Sequence, residues 1–200
     1  MLPVLIIHKG YKDYLKYNLE ITSQNNKIYL IGDNSLKPLE SFENVNFIEV
    51  DKYLDNNKIK LFSNNFTNYS TNNKEYELFC FLRILIIKLF MEEYKLEKVF
   101  HLDSDNILFY NITDYPFEKE IAYQFGYNKN KFSMTDSIHN GLINMDFCEQ
   151  FEKLYEQIYI TREKHSYIED KIDYHTNKKI SGGICDMTFY YIMRKNKLVD

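Results

Sequence analysis

The sequence predicts an α/β domain in which a mostly parallel central sheet is flanked by helices. Short apolar runs of strand length alternate with helical patterns, the order that a parallel sheet with crossover helices produces. One of those runs, Val99 to Leu102, ends in two acids, Asp103 and Asp105, and the carboxyl end of a strand is where open α/β sheets bind ligands. The length of 200 residues suits one domain over 1–200 with a full core.

The elements follow in order. Pro3-Val4-Leu5-Ile6-Ile7 reads as a buried strand, and His8-Lys9-Gly10-Tyr11 as the turn into a helix ending at Thr22, with Tyr14, Leu15, Asn18 and Leu19 at helical spacing. Lys27 to Ile31 is a second strand, closed by the turn signal Gly32-Asp33-Asn34-Ser35. Val45 to Val50 is a third, with Asp51 at its end. Ile59 to Lys74 is polar, Asn-rich and without period, which predicts a long surface loop. Glu75 to Leu96 is the strongest helix: Leu78, Phe81, Leu82, Leu85, Ile86 and Leu89 form an apolar face, and Phe79, Ile84, Ile87 and Phe90 extend it almost all round, as in a buried helix. Arg83 interrupts that surface, and arginine is almost never buried without a partner. Its fork suits phosphate oxygens, and equally a core aspartate or a route to the surface.

Ile107-Leu108-Phe109 continues as apolar strand beyond the acids, Asn111 to Pro116 turns, and Ile121 to Phe125 is a further strand. Tyr127 to Thr135 is a polar loop. Asn140-Gly141, within Ser137 to Asp146, is either a turn signal or a place where a ligand approaches the backbone. Phe147 to Lys164 is an amphipathic helix through Phe147, Phe151, Leu154, Tyr155 and Ile158. His165 to Lys179 reads as a solvated charged loop. Gly182 and Gly183 permit a tight turn, and Asp186 then opens a helix, where an acid is favoured as a cap and by the dipole.

Asp103 and Asp105 are the centre of the chemistry. Two apart on a strand, they would project from one face, and like charges held so close call for a cation between them. Oxygen ligands suit a hard dication, Mg²⁺ or Mn²⁺. A solvated turn is the alternative, because Asp, Ser and Asn are common turn residues.

Composition narrows the partners. The net charge of -4, with no basic block, argues against a nucleic-acid surface. Cys80, Cys148 and Cys185 are odd in number and unpaired in spacing, which suggests free thiols in a reducing, cytoplasmic setting. Met1 to Ile7 lacks the basic start of a signal peptide, and Leu78 to Met91 is too short and too charged to span a bilayer.

Arg83 in an apolar helix, followed by Phe100-His101-Leu102-Asp103-Ser104-Asp105, resembles the Asp-x-Asp glycosyltransferases of the GT-A fold, closest to the glycogenin- and galactosyltransferase-like pattern. The resemblance implies hexosyl transfer from a nucleotide diphosphate sugar, a uridine diphosphate sugar first, to an acceptor hydroxyl. It implies Asp103 and Asp105 on Mn²⁺ or Mg²⁺, with Arg83 and Ser104 beside the diphosphate. It places His8, Lys9, Gly10, Tyr11 and Asp33 on the base and ribose, Asn140, Gly141, Gly182 and Gly183 along the donor, and Asp186 at the reaction centre, as general base if the enzyme inverts. The later His of many relatives, which completes the metal shell, does not follow Asp186. Rival readings are a phosphatase of the haloacid dehalogenase type, an inactive nucleotide-sugar-binding module and, more weakly, a sugar nucleotidyltransferase.

Overall fold

The apolar runs form six strands of one sheet in the computed structural model, which describes residues 1–126 and 130–199. The elements are β1 (Val4–His8), α1 (Tyr14–Thr22), β2 (Ile28–Gly32), a 3₁₀ segment (Asn34–Ser41), β3 (Val45–Glu49), α2 (Asp51–Leu54), α3 (Asn57–Asn65), α4 (Lys74–Tyr94), β4 (Lys98–Leu102), β5 (Ala122–Phe125), β6 (Asp136–Asn144), α5 (Met145–Tyr155), α6 (Ser166–Lys178) and α7 (Asp186–Lys195). Strand order is β3-β2-β1-β4-β6-β5. The first four are parallel, β6 pairs antiparallel with β4, and β5 pairs antiparallel with β6.

Alternation along the strands splits the core between the two faces of the sheet. Leu5, Ile7, Ile31 and Val99 pack with α3, α4, α5 and α7. Val4, Ile6, Leu30, Phe100 and Leu102 pack with α1 and the 3₁₀ segment. α4 is buried over most of its surface, and Asn73 caps it by accepting from the amides of Glu75 and Tyr76.

Four expectations need correction. The loop expected over Ile59 to Lys74 begins as α3, which Asn56 caps and which buries Ile59 and Phe62 against the core. Its asparagines mask a two-residue apolar stripe that only a facing helix makes visible. The charged stretch His165 to Lys179 is largely α6, held by the buried Ile168 and Lys171. The helix begun near Phe147 ends in a π-helical turn, Glu156–Ile160, short of Lys164. Ile107-Leu108-Phe109 is not strand: α1 and its following turn supply side chains that take the place of a pairing partner. Thr22 Oγ1 accepts from the Leu108 amide at 3.1 Å, and Asn26 bonds both the Tyr110 carbonyl and the Ile112 amide. Of the loop expected over 127–135, residues 127–129 lie outside the described residues. No helix among the described residues is long and apolar enough to cross a membrane.

Phe81 is fully buried on α4 and touches the rings of Phe62, Phe66, Phe151, Tyr155, Tyr159 and Phe189. Phe81→Ala is expected to cost about 3–5 kcal/mol in urea unfolding. A loss under about 1 kcal/mol would mean that α4 is not the centre of this core.

Candidate active site

β1 and β4 are neighbours and parallel, so their carboxyl ends open side by side. A cavity of about 420 Å³ lies there, lined by His8, Lys9, Tyr14, Tyr76, Phe79, Cys80, Arg83, Asp103, Ser104 and Asp105 among others. Six of the residues singled out in the sequence therefore meet in one place: His8, Lys9, Arg83, Asp103, Ser104 and Asp105.

The acids reach it by a route other than the one expected. β4 stops at Leu102, and Asp103 to Asn106 is a tight turn closed by the Asn106 amide on the Asp103 carbonyl at 3.0 Å. The turn, not strand period, brings both residues to the cavity lining. The turn is pinned on both sides. The Asp103 amide and Asn106 Nδ2 both donate to the His139 carbonyl, and Asn18 Nδ2 donates to the Ser104 carbonyl at 2.8 Å. Asp105 accepts no hydrogen bond among the described residues.

Asp103 follows Val99 and His101 on the face toward α4, and there it meets Arg83. Arg83 Nη1 donates to Asp103 Oδ1 at 2.6 Å, and Nη2 to Asp186 Oδ2 at 3.0 Å. The Arg83 side chain is only 16 % exposed. Burial pulls its pKa down, but the charges of Asp186 and Asp103 outweigh burial, so the guanidinium is held charged. Asp186, 4 % exposed, also accepts from Tyr190 Oη and from the Met187 amide. It does not line the cavity.

Two histidines flank the network. His8 Nδ1 lies 3.0 Å from Ser104 Oγ, its Nε2 is buried without a partner among the described residues, and burial lowers its pKa. His101 is fully buried. Its Nδ1 is 2.7 Å from the Ile138 carbonyl, which can only accept, so Nδ1 carries the proton. The bare Nε2 then faces Asp103 Oδ1 at 3.8 Å. Burial lowers the His101 pKa to about 4.

The remaining candidates stand elsewhere. Asp33 accepts from the amides of Gly10 and Ser35, so its carboxylate shapes the loop after β1; Gly10 has φ +79° there. Tyr11 lies outside the cavity lining. Asn140 pairs with Leu102, which sets it on the sheet face opposite His101. Gly141 lies mid-strand, where an added Cβ would meet the Ala122 carbonyl at 3.2 Å, so packing between strands explains it. Gly182 and Gly183 line a second cavity; a Cβ on Gly183 would come within 2.0 Å of the Tyr69 carbonyl. Sequence reasoning passed over Tyr76, Phe79 and Cys80, which line the first cavity. Their spacing before Arg83 on α4 carries that signal.

No protein-family model matches this sequence, and no curated protein matches it. The backbone is similar to that of a solved structure described as "PaToxG Glycosyltransferase", at 14% identity and a TM-score of 0.52, over 99% of this chain and 70% of that one. Two others are more distant. One is a glycosyltransferase involved in glycosylation of the major capsid of PBCV-1, at 13% identity, 89% and 77% coverage and a TM-score of 0.40. The other is the apo-form glycosyltransferase GlyE of Streptococcus pneumoniae TIGR4, at 16% identity, 98% and 50% coverage and a TM-score of 0.40. The fold is the GT-A arrangement of a mostly parallel sheet between helices.

Two measurements check this network. Arg83→Gln strands two carboxylates and is expected to cost about 3–5 kcal/mol, and adding Asp186→Asn should return part of it. Strict additivity in that cycle would break the assignment. His101 stays neutral when folded, so its contribution is present above its unfolded pKa near 6.5 and is lost as pH falls toward about 4. His101→Phe should flatten the stability profile over that window by a few kcal/mol relative to the parent. Parallel profiles for the two proteins would refute it.

Proposed function

We propose that this protein is a metal-dependent glycosyltransferase that moves a sugar from a nucleotide diphosphate sugar, a uridine diphosphate sugar first among them, to an acceptor hydroxyl. The observation that carries the reading is the convergence of Asp103, Asp105, His8, Lys9 and Arg83 on one open cavity at the carboxyl ends of β1 and β4. The structural neighbour described as a glycosyltransferase supports it through shared fold.

The donor set fits a hard dication. Asp103 Oδ2 and both Asp105 oxygens are free of hydrogen bonds among the described residues, and Mg²⁺ or Mn²⁺ takes one or two carboxylates plus phosphate and water. No group of three or more His, Cys, Asp or Glu is arranged for a cation among the described residues. Charge points the same way. Along the lining Asp103, Asp105 and Glu75 outnumber Arg83 and Lys9, so a bare diphosphate would add like charge to an acidic wall. When bound, the cation offsets the charge that grows on the leaving phosphate.

The chain's own residues do the rest. Arg83 fixes the Asp103 carboxylate against the cavity wall. Lys9, whose Nζ sits 5.2 Å over the Phe79 ring, can swing onto phosphate oxygens. Burial lowers the His8 pKa and its Nε2 has no partner among the described residues, while Tyr76 and Phe79 give the base apolar faces. In this reading Asp186 holds Arg83 and does not take the acceptor's proton, because its oxygens are already engaged.

The test follows free nucleotide released from a panel of nucleotide sugars with Mn²⁺. One donor should be hydrolysed slowly, and Asp103→Asn and Asp105→Asn should each lower the rate at least about a hundredfold. Because the described residues of the site offer two carboxylates, Asp103 and Asp105, Mn²⁺ should bind at least about tenfold more tightly when uridine diphosphate is present, by water-proton relaxation. Cleavage of simple phosphomonoesters in place of donors, or donor release indifferent to both variants, would overturn the proposal.

A further inference from the structure

A third cavity, of about 250 Å³, lies between α6 and α7. Ser166, Tyr167 and Lys171 line it from α6, Tyr191 and Lys195 from α7, and Lys131 from the segment before β6. It shares no lining residue with the first cavity.

One wall holds a charge that the fold leaves unbalanced. Lys171 is 3 % exposed. Its Nζ donates to the Ser133 carbonyl at 2.9 Å, to Thr188 Oγ1 at 2.9 Å and to the Met134 carbonyl at 3.4 Å. Three acceptors take three protons, so the group is an ammonium and not a neutral amine. All three acceptors are neutral, and no carboxylate lies within ion-pair distance of Nζ among the described residues. Burial accordingly lowers its pKa. An ammonium buried among neutral dipoles costs free energy that a counter-ion would recover. The bond to the Met134 carbonyl is the longest of the three, and Met134 lines this cavity, so it is the bond that an anion would replace.

The rest of the lining selects the anion. Lys131 and Lys195 are exposed and add two positive charges. Asp170 is the one acid of the described lining, and its Oδ2 lies 3.6 Å from Lys131 Nζ. Three ammonium groups thus stand against one carboxylate. A carboxylate ligand would offset half of that surplus, whereas a phosphate monoester carries about two negative charges at neutral pH and offsets it. Ser166 Oγ, without a partner among the described residues, is free to donate to a phosphate oxygen. Tyr167 and Tyr191 offer ring faces to the group that the phosphate esterifies, and Lys164 lies over the Tyr167 ring at 5.8 Å as a further cation. We propose that this cavity binds a phosphate monoester of a small organic molecule, with Lys171 as its buried counter-charge and Lys131, Lys195 and Ser166 as its donors. The site does not depend on what the first cavity binds.

The test is therefore run without nucleotide or metal. Phenyl phosphate, inorganic phosphate and benzoate are titrated at constant ionic strength and followed by amide NMR shifts of the labelled protein. Phenyl phosphate should move the amides of Ser166, Tyr167 and Asn196 and should bind at least about tenfold more tightly than benzoate. Inorganic phosphate should move the same amides at lower affinity, which separates the ester from the free ion. Lys171→Met keeps the apolar stem, removes the charge and should weaken phenyl phosphate at least about tenfold. Lys195→Gln, on the exposed rim, should weaken it about threefold and carries the decision if Lys171→Met does not fold. Absence of shifts at these amides, shifts confined to those of His8 and Ser104 at the first cavity, benzoate or inorganic phosphate binding as tightly as the ester, or full affinity in the folded variants would overturn the proposal.

Discussion

A guanidinium set in the middle of a buried helix must find counter-charge inside the protein, and Arg83 finds it in Asp103 and Asp186. Desolvating each of these ions costs several kcal/mol, and the cost is repaid only when the geometry is good and the spare lone pairs are filled. Both conditions are met. The contacts are short and charge-assisted, and Tyr190 and the Met187 amide complete Asp186. The result ties the end of β4, the middle of α4 and the first turn of α7 to one point. Those three elements come from distant parts of the sequence, so the floor of the first cavity exists only when the chain is folded around this cluster.

The cluster also makes the two acids unequal. Asp103 is fixed by Arg83 and faces a bare imidazole nitrogen of His101, whereas Asp105 hangs from a turn with no partner among the described residues. A symmetrical acid pair would bind a cation before any substrate arrived. Here one carboxylate is half-spent, so in the proposed reaction the donor's phosphates must finish the shell. Cation and donor binding are then linked, each strengthening the other by the same factor.

Much of this was legible in the residues, and the failures share a cause. β1 to β4 and α4 declare themselves because their apolar runs have the right length and period. The cavity residues His8, Lys9, Asp103, Ser104 and Asp105 were legible because they sit where strands end. α3 and α6 were not, because each fully buries only two side chains within a mostly polar run. Ile107 to Phe109 misled because hydrophobicity reports burial, not the identity of the hydrogen-bond partner; Thr22 and Asn26 take that part from a distant place. Gly141 and Gly183 are required by neighbouring carbonyls, which a linear motif cannot reveal. Lys171, the least expected burial, hides within the most charged stretch of the chain.

α4 places the two cavities in relation to each other. Glu77, Cys80 and Arg83 stand three residues apart on it, so each is about 4.5 Å further along the axis than the last. Glu77 lines the second cavity, and Cys80 and Arg83 line the first. Less than one turn of α4 therefore separates a residue of one lining from a residue of the other. Cys80 stands at that step as a neutral wall, since burial lifts its thiol to about 12.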